Sequence, residues 1–181
     1  MSENKQLPLK ILKAVDQQKA LLDWYEWLHE ENHRGERAQL GRAGSLDAVI
    51  MQKGFLNLAR RLPEFERHLL EGIALVAGIL AWIEQENDKP LPKLLGKNKE
   101  GSDMPLFSEL RFQRLLASDT PDAFYQNLRR AVIQVGKTAN PLLLADSILH
   151  WEQERRHPDW QKFQGPGRWQ YQQARAYYIQ N

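Results

Sequence analysis

The sequence predicts an all-α protein built as two helical bundles in tandem, and three observations support that fold class. Apolar residues recur at helical spacing in nearly every segment, and no stretch alternates like a half-buried strand. Capping residues and prolines stand where these periodic segments begin. A stretch rich in proline, glycine and lysine separates the two halves. The predicted units are an N-terminal tail (1–15), an N-terminal bundle (16–90), a linker or surface loop (91–105) and a C-terminal bundle (106–181).

Four helices are predicted in the N-terminal bundle. Ser45 is a typical N-cap residue, and Pro63 interrupts the helical pattern that follows it. The last of the four helices is apolar on nearly all sides between Leu69 and Ile83, which is typical of a helix at the centre of a bundle. The predicted ranges are 16 to about 32–35, 36–42, 46–62 and 64–86.

The C-terminal bundle has clearer start signals. Thr120, Pro121 and Asp122 provide a cap, a first-turn proline and a first-turn acid, and they open a helix that Gly136 closes. The pair Asn140-Pro141 repeats the signal for a helix that runs through residue 151. Two further helices are predicted over 108–117 and about 167–179. The buried side of the helix after Thr120 is predicted to consist of Phe124, Leu128, Ala131, Val132 and Val135.

The composition excludes several classes of site. The 181 residues contain no cysteine, which rules out disulfide frameworks, cysteine-bound zinc, iron–sulfur clusters and thiol nucleophiles. The longest apolar run, Ile73 to Ile83, has 11 residues and is too short to cross a bilayer. The first residues lack the apolar core of a secretory signal. We therefore expect a cytoplasmic protein with no membrane contact.

One motif matches a sequence pattern that is typical of zinc sites. His29-Glu30-Glu31-Asn32-His33 matches H-E-x-x-H, in which a helix holds zinc with two imidazoles on one face and the glutamate acts as general base. The motif lies at a predicted helix end, and neither a third ligand nor a neighbouring strand accompanies it. A solvated helix end is therefore favoured over a zinc metallopeptidase. No other catalytic set is present, so we expect a non-enzyme without metal or cofactor.

Positive charge is concentrated in two blocks. Residues 34–67 and 107–181 each have a net charge of +3, whereas residues 1–33 and 68–106 each have −2. Arginine dominates the basic blocks, and its planar guanidinium donates two parallel hydrogen bonds to a phosphate. Arginine-bearing helix faces can follow a phosphate backbone, although every amphipathic helix has a polar side. The candidate nucleic-acid contacts are Arg34, Arg37, Arg42, Arg60, Arg61, Arg111, Arg114, Arg129, Arg130, Lys137, Arg168 and Arg175.

The order of several segments is similar to that of a known family. The segments are Arg37-Ala-Gln-Leu-Gly-Arg-Ala43, Phe107-Ser-Glu-Leu-Arg-Phe-Gln-Arg-Leu-Leu116, Leu128-Arg-Arg-Ala131, His150-Trp151 and Ala174-Arg-Ala-Tyr-Tyr178. Over about residues 22–181 the chain resembles the small subunit of the type I-E CRISPR Cascade complex, the CasB family. Gly41 and Gln113 stand where that family often has arginine, and Gln173 stands where it commonly has tryptophan.

The resemblance implies a non-catalytic, all-helical subunit of a ribonucleoprotein that acts in antiviral defence. Its implied partners are guide RNA, target DNA, the large and backbone subunits of Cascade, and a second copy of the subunit. It also implies that the subunit steadies the R-loop and holds the displaced DNA strand in a basic groove. The alternative is a helical protein-interaction module with no nucleic-acid role.

Overall fold

The structure is a computed structural model that describes residues 9–159 and 165–180. Within these ranges the chain is all-α, as predicted, apart from two strands of two residues each. A 3₁₀ turn (Glu31–His33) joins the first two helices. The elements are α1 (Val15–His29), α2 (Arg34–Arg42), α3 (Leu46–Ile50), α4 (Lys53–Arg61), α5 (Pro63–His68), α6 (Leu70–Leu80), β1 (Gln85–Glu86), α7 (Leu91–Leu95), α8 (Glu109–Leu116), α9 (Pro121–Gln134), β2 (Thr138–Ala139), α10 (Pro141–Arg156) and α11 (Trp169–Tyr178).

The predicted N-caps of three helices are confirmed. The side-chain oxygens of Ser45, Thr120 and Asn140 each accept a hydrogen bond from the backbone N–H three residues later, at 3.3, 3.2 and 2.9 Å. Each bond satisfies one of the backbone N–H groups that a helix start leaves without a partner. The starts of α3, α9 and α10 are therefore fixed by local chemistry.

Two predicted helices are divided in the structure. The helix predicted over 46–62 is interrupted between α3 and α4, and the helix predicted over 64–86 is interrupted at Leu69 and ends at Leu80. Leu69 has φ −136° and ψ 47°, which is outside the helical region, and its side chain is buried. Burial of this leucine in the core outweighs its preference for a helix.

The helix α6 lies at the centre of the molecule, as predicted for the apolar segment. Every residue from 72 to 80 is buried. On one side α6 packs against α3, α4 and α5, and on the other it packs against α9 and α10. Gly72 and Gly78 allow close approach, because a Cβ at Gly72 would lie 3.1 Å from Leu149 and one at Gly78 would lie 2.8 Å from Tyr125.

The predicted boundary at 91–105 stays a prediction, and the structure shows what lies around it. The helix α7 falls within this stretch and buries Leu91 and Leu95. It packs against α11, and Tyr177 of α11 donates a hydrogen bond to the carbonyl oxygen of Phe107. The strand β1 pairs in parallel with β2. Helices before and after the stretch thus contribute to one buried apolar cluster, which extends from residue 12 to residue 177.

The structure describes the last residues of the predicted tail, and they are hydrogen-bonded to α10. The carboxylate of Asp146 accepts hydrogen bonds from the backbone N–H groups of Lys10, Ile11 and Leu12, at 2.9, 2.8 and 2.8 Å. Leu12 is fully buried. Residues 1–8 of the predicted tail lie outside the described residues. Among the residues described, no helix is both long and apolar enough to cross a membrane.

Candidate nucleic-acid interface

The start of α9 is fixed to the turn between α2 and α3. Tyr125 Oη donates a hydrogen bond to the carbonyl oxygen of Ala43 at 2.9 Å, and Gln126 Nε2 donates one to that of Gly44 at 2.8 Å. The backbone N–H of Leu46 donates to Asp122 Oδ1 at 3.1 Å. These three bonds join residues about 80 positions apart in the chain. They bring the end of α2, where Arg42 lies, next to the first turns of α9.

A cluster of cations surrounds Trp82, which follows α6. The guanidinium carbon of Arg129 lies 4.5 Å from the centroid of the Trp82 ring, and Lys137 Nζ lies 5.6 Å from it. On α2, a Cβ built at Gly41 would lie 3.8 Å from the same ring. Both cations are within the range of a favourable interaction with an aromatic face. The ring of Trp82 therefore connects α2, α6 and α9.

Glu84 is the acidic member of this cluster. Its carboxylate lies 2.7 Å from Lys137 Nζ. The hydrogen bond from Lys137 lowers the pKa of Glu84, and the nearby positive charge of Arg37 lowers it further. Arg37 is one turn before Gly41 on α2 and therefore lies on the side of α2 that meets Trp82. The structure brings together three of the predicted contacts, which are Arg37, Arg129 and Lys137.

The helix α8 lies along the other side of α9. Asn127 Nδ2 donates to Ser118 Oγ at 2.9 Å and lies 3.5 Å from the carbonyl oxygen of Arg114. Arg111 and Arg114 are exposed on α8, and Arg130 is exposed on α9. Among the described residues, none of these three arginines has an ion-pair partner. Their guanidinium groups are therefore not neutralised by any side chain in residues 9–159 and 165–180.

Arg129 and Arg130 point to different sides of α9 because consecutive residues are about 100° apart around a helix. Arg129 is half-buried against Trp82, whereas Arg130 lies on the solvent side between the Trp82 cluster and α8. The solvent side of α9 therefore connects the two sets of cations. We call this surface the α9 face and define it by Arg37, Arg42, Arg111, Arg114, Arg129, Arg130 and Lys137.

The other five predicted contacts have different surroundings. Arg34 forms an exposed ion pair with Glu31 at 2.9 Å, and Arg61 Nε donates to Asn57 at 2.9 Å. Arg60 lines a depression with Trp27, Glu36 and Leu56. Because Glu36 and Gly41 are about 140° apart around α2, this depression faces away from Trp82. Arg168 lies beside Gln113, and Arg175 lines the cavity below α11.

The profile of a protein family, CRISPR-associated protein Cse2, matches residues 36–178. The chain belongs to this family. The matched range extends from α2 to the last residue of α11 and contains every residue of the α9 face. Membership confirms the resemblance to the type I-E Cascade small subunit and makes the other Cascade subunits its partners. No curated protein and no solved structure matches the chain significantly.

The H-E-x-x-H motif of this Cse2-family chain does not form the expected helix face. The helix α1 ends at His29, so His33 lies in the following 3₁₀ turn. The two ring nitrogens of His29 lie 2.8 Å and 2.7 Å from the carbonyl oxygens of Tyr25 and Ile83, and His33 Nδ1 lies 2.9 Å from that of Trp27. Both imidazoles also pack against aromatic rings. The motif lies at a helix end with Glu30, Glu31 and Asn32 exposed, as expected, but its two histidines are half-buried structural groups rather than solvated ones.

A cavity of about 690 Å³ lies between α7, α8, α10 and α11 and has a mainly apolar lining. Its two buried ionisable groups, Asp146 and His150, make structural contacts. Asp146 binds the N-terminal segment, and His150 lies 3.8 Å from Glu154, which accepts the backbone N–H of Trp169. Burial lowers the pKa of His150. These groups hold three chain segments together at one end of the cavity.

Sequence reasoning missed the part that Trp82 plays in the Cse2-family chain. Trp82 lies within the helix predicted over 64–86, and no role was predicted for it from the sequence. Its contacts come from Gly41, Arg129 and Lys137, all more than 40 residues away. No local pattern predicts such contacts. The signal available in the sequence for a role of Trp82 was an aromatic residue close to the acidic Glu84 at the end of the most buried helix.

Proposed function

We propose that this Cascade subunit, without catalysing a reaction, stabilises the R-loop by binding the displaced DNA strand and the guide–target backbone through the α9 face. The observation that carries the proposal is the set of exposed arginines on α8 and α9 that have no acidic partner among the described residues. Uncompensated guanidinium groups at the surface suit phosphate oxygens, because each can donate two parallel hydrogen bonds.

The energetics of strand exchange make such contacts effective. A DNA duplex and the RNA–DNA hybrid that replaces it have nearly equal stability, so small backbone contacts can shift the balance. Phosphate contacts carry no base information, and the guide RNA supplies sequence recognition by pairing. The α9 face therefore needs only cations that can reach successive phosphates.

The proposed function also assigns a partner to each surface of the chain. Target DNA and guide RNA contact the α9 face, while the large and backbone subunits of Cascade and a second copy of this chain contact other surfaces. Arg60, outside the α9 face, lines a depression with the apolar side chains of Leu56 and Trp27. Such mixed surfaces are typical of protein contacts rather than of a phosphate groove.

The test replaces Arg111, Arg114 and Arg130 by alanine in the assembled complex. We expect weaker binding to targets of every sequence, and the slope of log affinity against log salt should become less steep by roughly 2 to 3 units, at 0.7 to 0.9 per phosphate contact. The matched control replaces Arg60, Arg67 and Arg175, which are also exposed, so that net charge falls equally away from the α9 face. Affinity is measured at several salt concentrations with assembly verified for each complex.

Two outcomes would contradict the proposal. Equal salt slopes for the wild-type and Arg111/Arg114/Arg130 complexes would assign these arginines to solvent and favour the protein-interaction module. Equal losses in the two triple variants would show that net charge acts at long range rather than through the α9 face.

A further inference from the structure

The side chain of Arg129 differs from the other arginines of the α9 face because it packs against the ring of Trp82. Its guanidinium carbon lies 4.5 Å from the centroid of the Trp82 ring, and no carboxylate among the described residues pairs with it. It is half-buried, whereas Arg130 is exposed and packs against no aromatic ring of the part of the chain that the structure describes. The side chain is therefore held in one orientation before any ligand arrives.

Trp82 is positioned by contacts to the face of its ring rather than by a hydrogen bond at its edge. Its Nε1–H is buried and has no hydrogen-bond partner among the described residues. An unpaired buried donor is unfavourable, and each such group in a folded protein calls for an explanation. Here the ring contacts the guanidinium of Arg129, and a Cβ built at Gly41 would lie 3.8 Å from its Cε2 atom.

An exposed apolar side chain stands beside this pair. Ile133 is one turn after Arg129 on α9 and is 43% exposed. A planar cation next to an exposed isoleucine suits a flat, partly apolar ring better than it suits a phosphate alone. Nucleobases have that character, and they stack on arginine as well as on aromatic rings.

We infer that the outer face of Arg129, supported by Trp82, is a stacking platform for one unpaired nucleobase of the strand that the α9 face binds. The inference rests on the proposed function and adds that the bound strand is single, since a paired base has both faces covered by its neighbours in the duplex. Arg130, Arg111 and Arg114 bind the flanking phosphates. Stacking does not depend on base identity, so the platform adds affinity without sequence preference.

The test compares two short single-stranded DNA probes with the same number of phosphates, one carrying bases and the other abasic. For the full-length chain we expect the base-bearing probe to bind about 5- to 150-fold more tightly, which corresponds to one stacked base. Arg129→Lys keeps the charge but removes the planar group, so it should bring this ratio close to 1 and leave the salt slope unchanged. Trp82→Leu should lower the ratio in the same way.

The control is Arg130→Lys, which makes the same chemical change on a side chain without aromatic support and should leave the ratio unchanged. Thermal unfolding shows whether each variant is folded. If Trp82→Leu is not folded, the result for Arg129→Lys decides the test. Salt-dependent binding with a ratio near 1 in the wild type, or an unchanged ratio in Arg129→Lys, overturns the platform alone. Failure of the chain to bind either probe at low salt overturns the proposed function as well.

Discussion

Substituting Gly78 by alanine tests how tightly the two predicted bundles pack together. Gly78 lies in α6, and a Cβ built there would be 2.8 Å from Cε2 of Tyr125 and 3.2 Å from its Cζ and Oη. Tyr125 is fully buried in α9, and its hydroxyl donates to the carbonyl oxygen of Ala43 at 2.9 Å. The ring cannot move away from a methyl group without lengthening this hydrogen bond. The substitution therefore forces α6 and α9 apart.

The expected size of the effect follows from three contributions. Overpacking a filled core costs about 1 to 3 kcal/mol, and weakening the Tyr125 hydrogen bond costs about 1 kcal/mol more. Alanine gains about 1 kcal/mol over glycine inside a helix, which offsets part of the loss. We expect Gly78→Ala to lower the free energy of unfolding by about 1 to 3 kcal/mol.

The matched control is Gly35→Ala in α2, because no heavy atom lies within 4 Å of the Cβ that it adds. This variant should be as stable as the wild type or more stable by up to about 1 kcal/mol. Urea unfolding followed by circular dichroism measures both variants. Equal stabilities for Gly78→Ala and Gly35→Ala would refute the reasoning, because they would show that α9 does not press against α6.

Two further predictions concern the core and the histidines. Leu80→Ala should lower the free energy of unfolding by about 2 to 5 kcal/mol, because Leu80 is fully buried in α6 and its loss leaves a cavity; an unchanged melting temperature would mean that this side of α6 is not packed. Replacing His29 and His33 together by alanine should cost about 1 kcal/mol for each lost contact to a carbonyl oxygen, with no change in metal content. Stoichiometric zinc that disappears in the double variant would instead support the metallopeptidase.

The helix starts could be predicted because their causes are local. Ser45, Thr120 and Asn140 each bond to a backbone N–H three residues away, so the sequence contains both partners. The break at Leu69 could not be predicted in this way. Its residue type favours a helix, and the bend arises because the buried leucine and α6 must both reach the core.

The solvent sides of α8 and α9 could also be predicted, since helical periodicity separates Arg111, Arg114 and Arg130 from the buried residues. The same reasoning also predicted Arg60 and Arg175 as nucleic-acid contacts, although they lie away from the α9 face. Periodicity assigns a residue to one side of its own helix. It does not say which other helix that side will meet.

The decisive step in forming the α9 face is therefore the docking of α9 on the turn between α2 and α3. Three hydrogen bonds, made by Tyr125, Gln126 and Asp122, hold the two parts together. Without them the arginines of α2 and those of α9 would belong to separate surfaces, each too small to follow a strand. Two adjacent arginines of α9 then acquire different surroundings, because Arg129 turns toward Trp82 and Arg130 toward solvent. Long-range packing thus converts two dispersed sets of cations into one continuous surface.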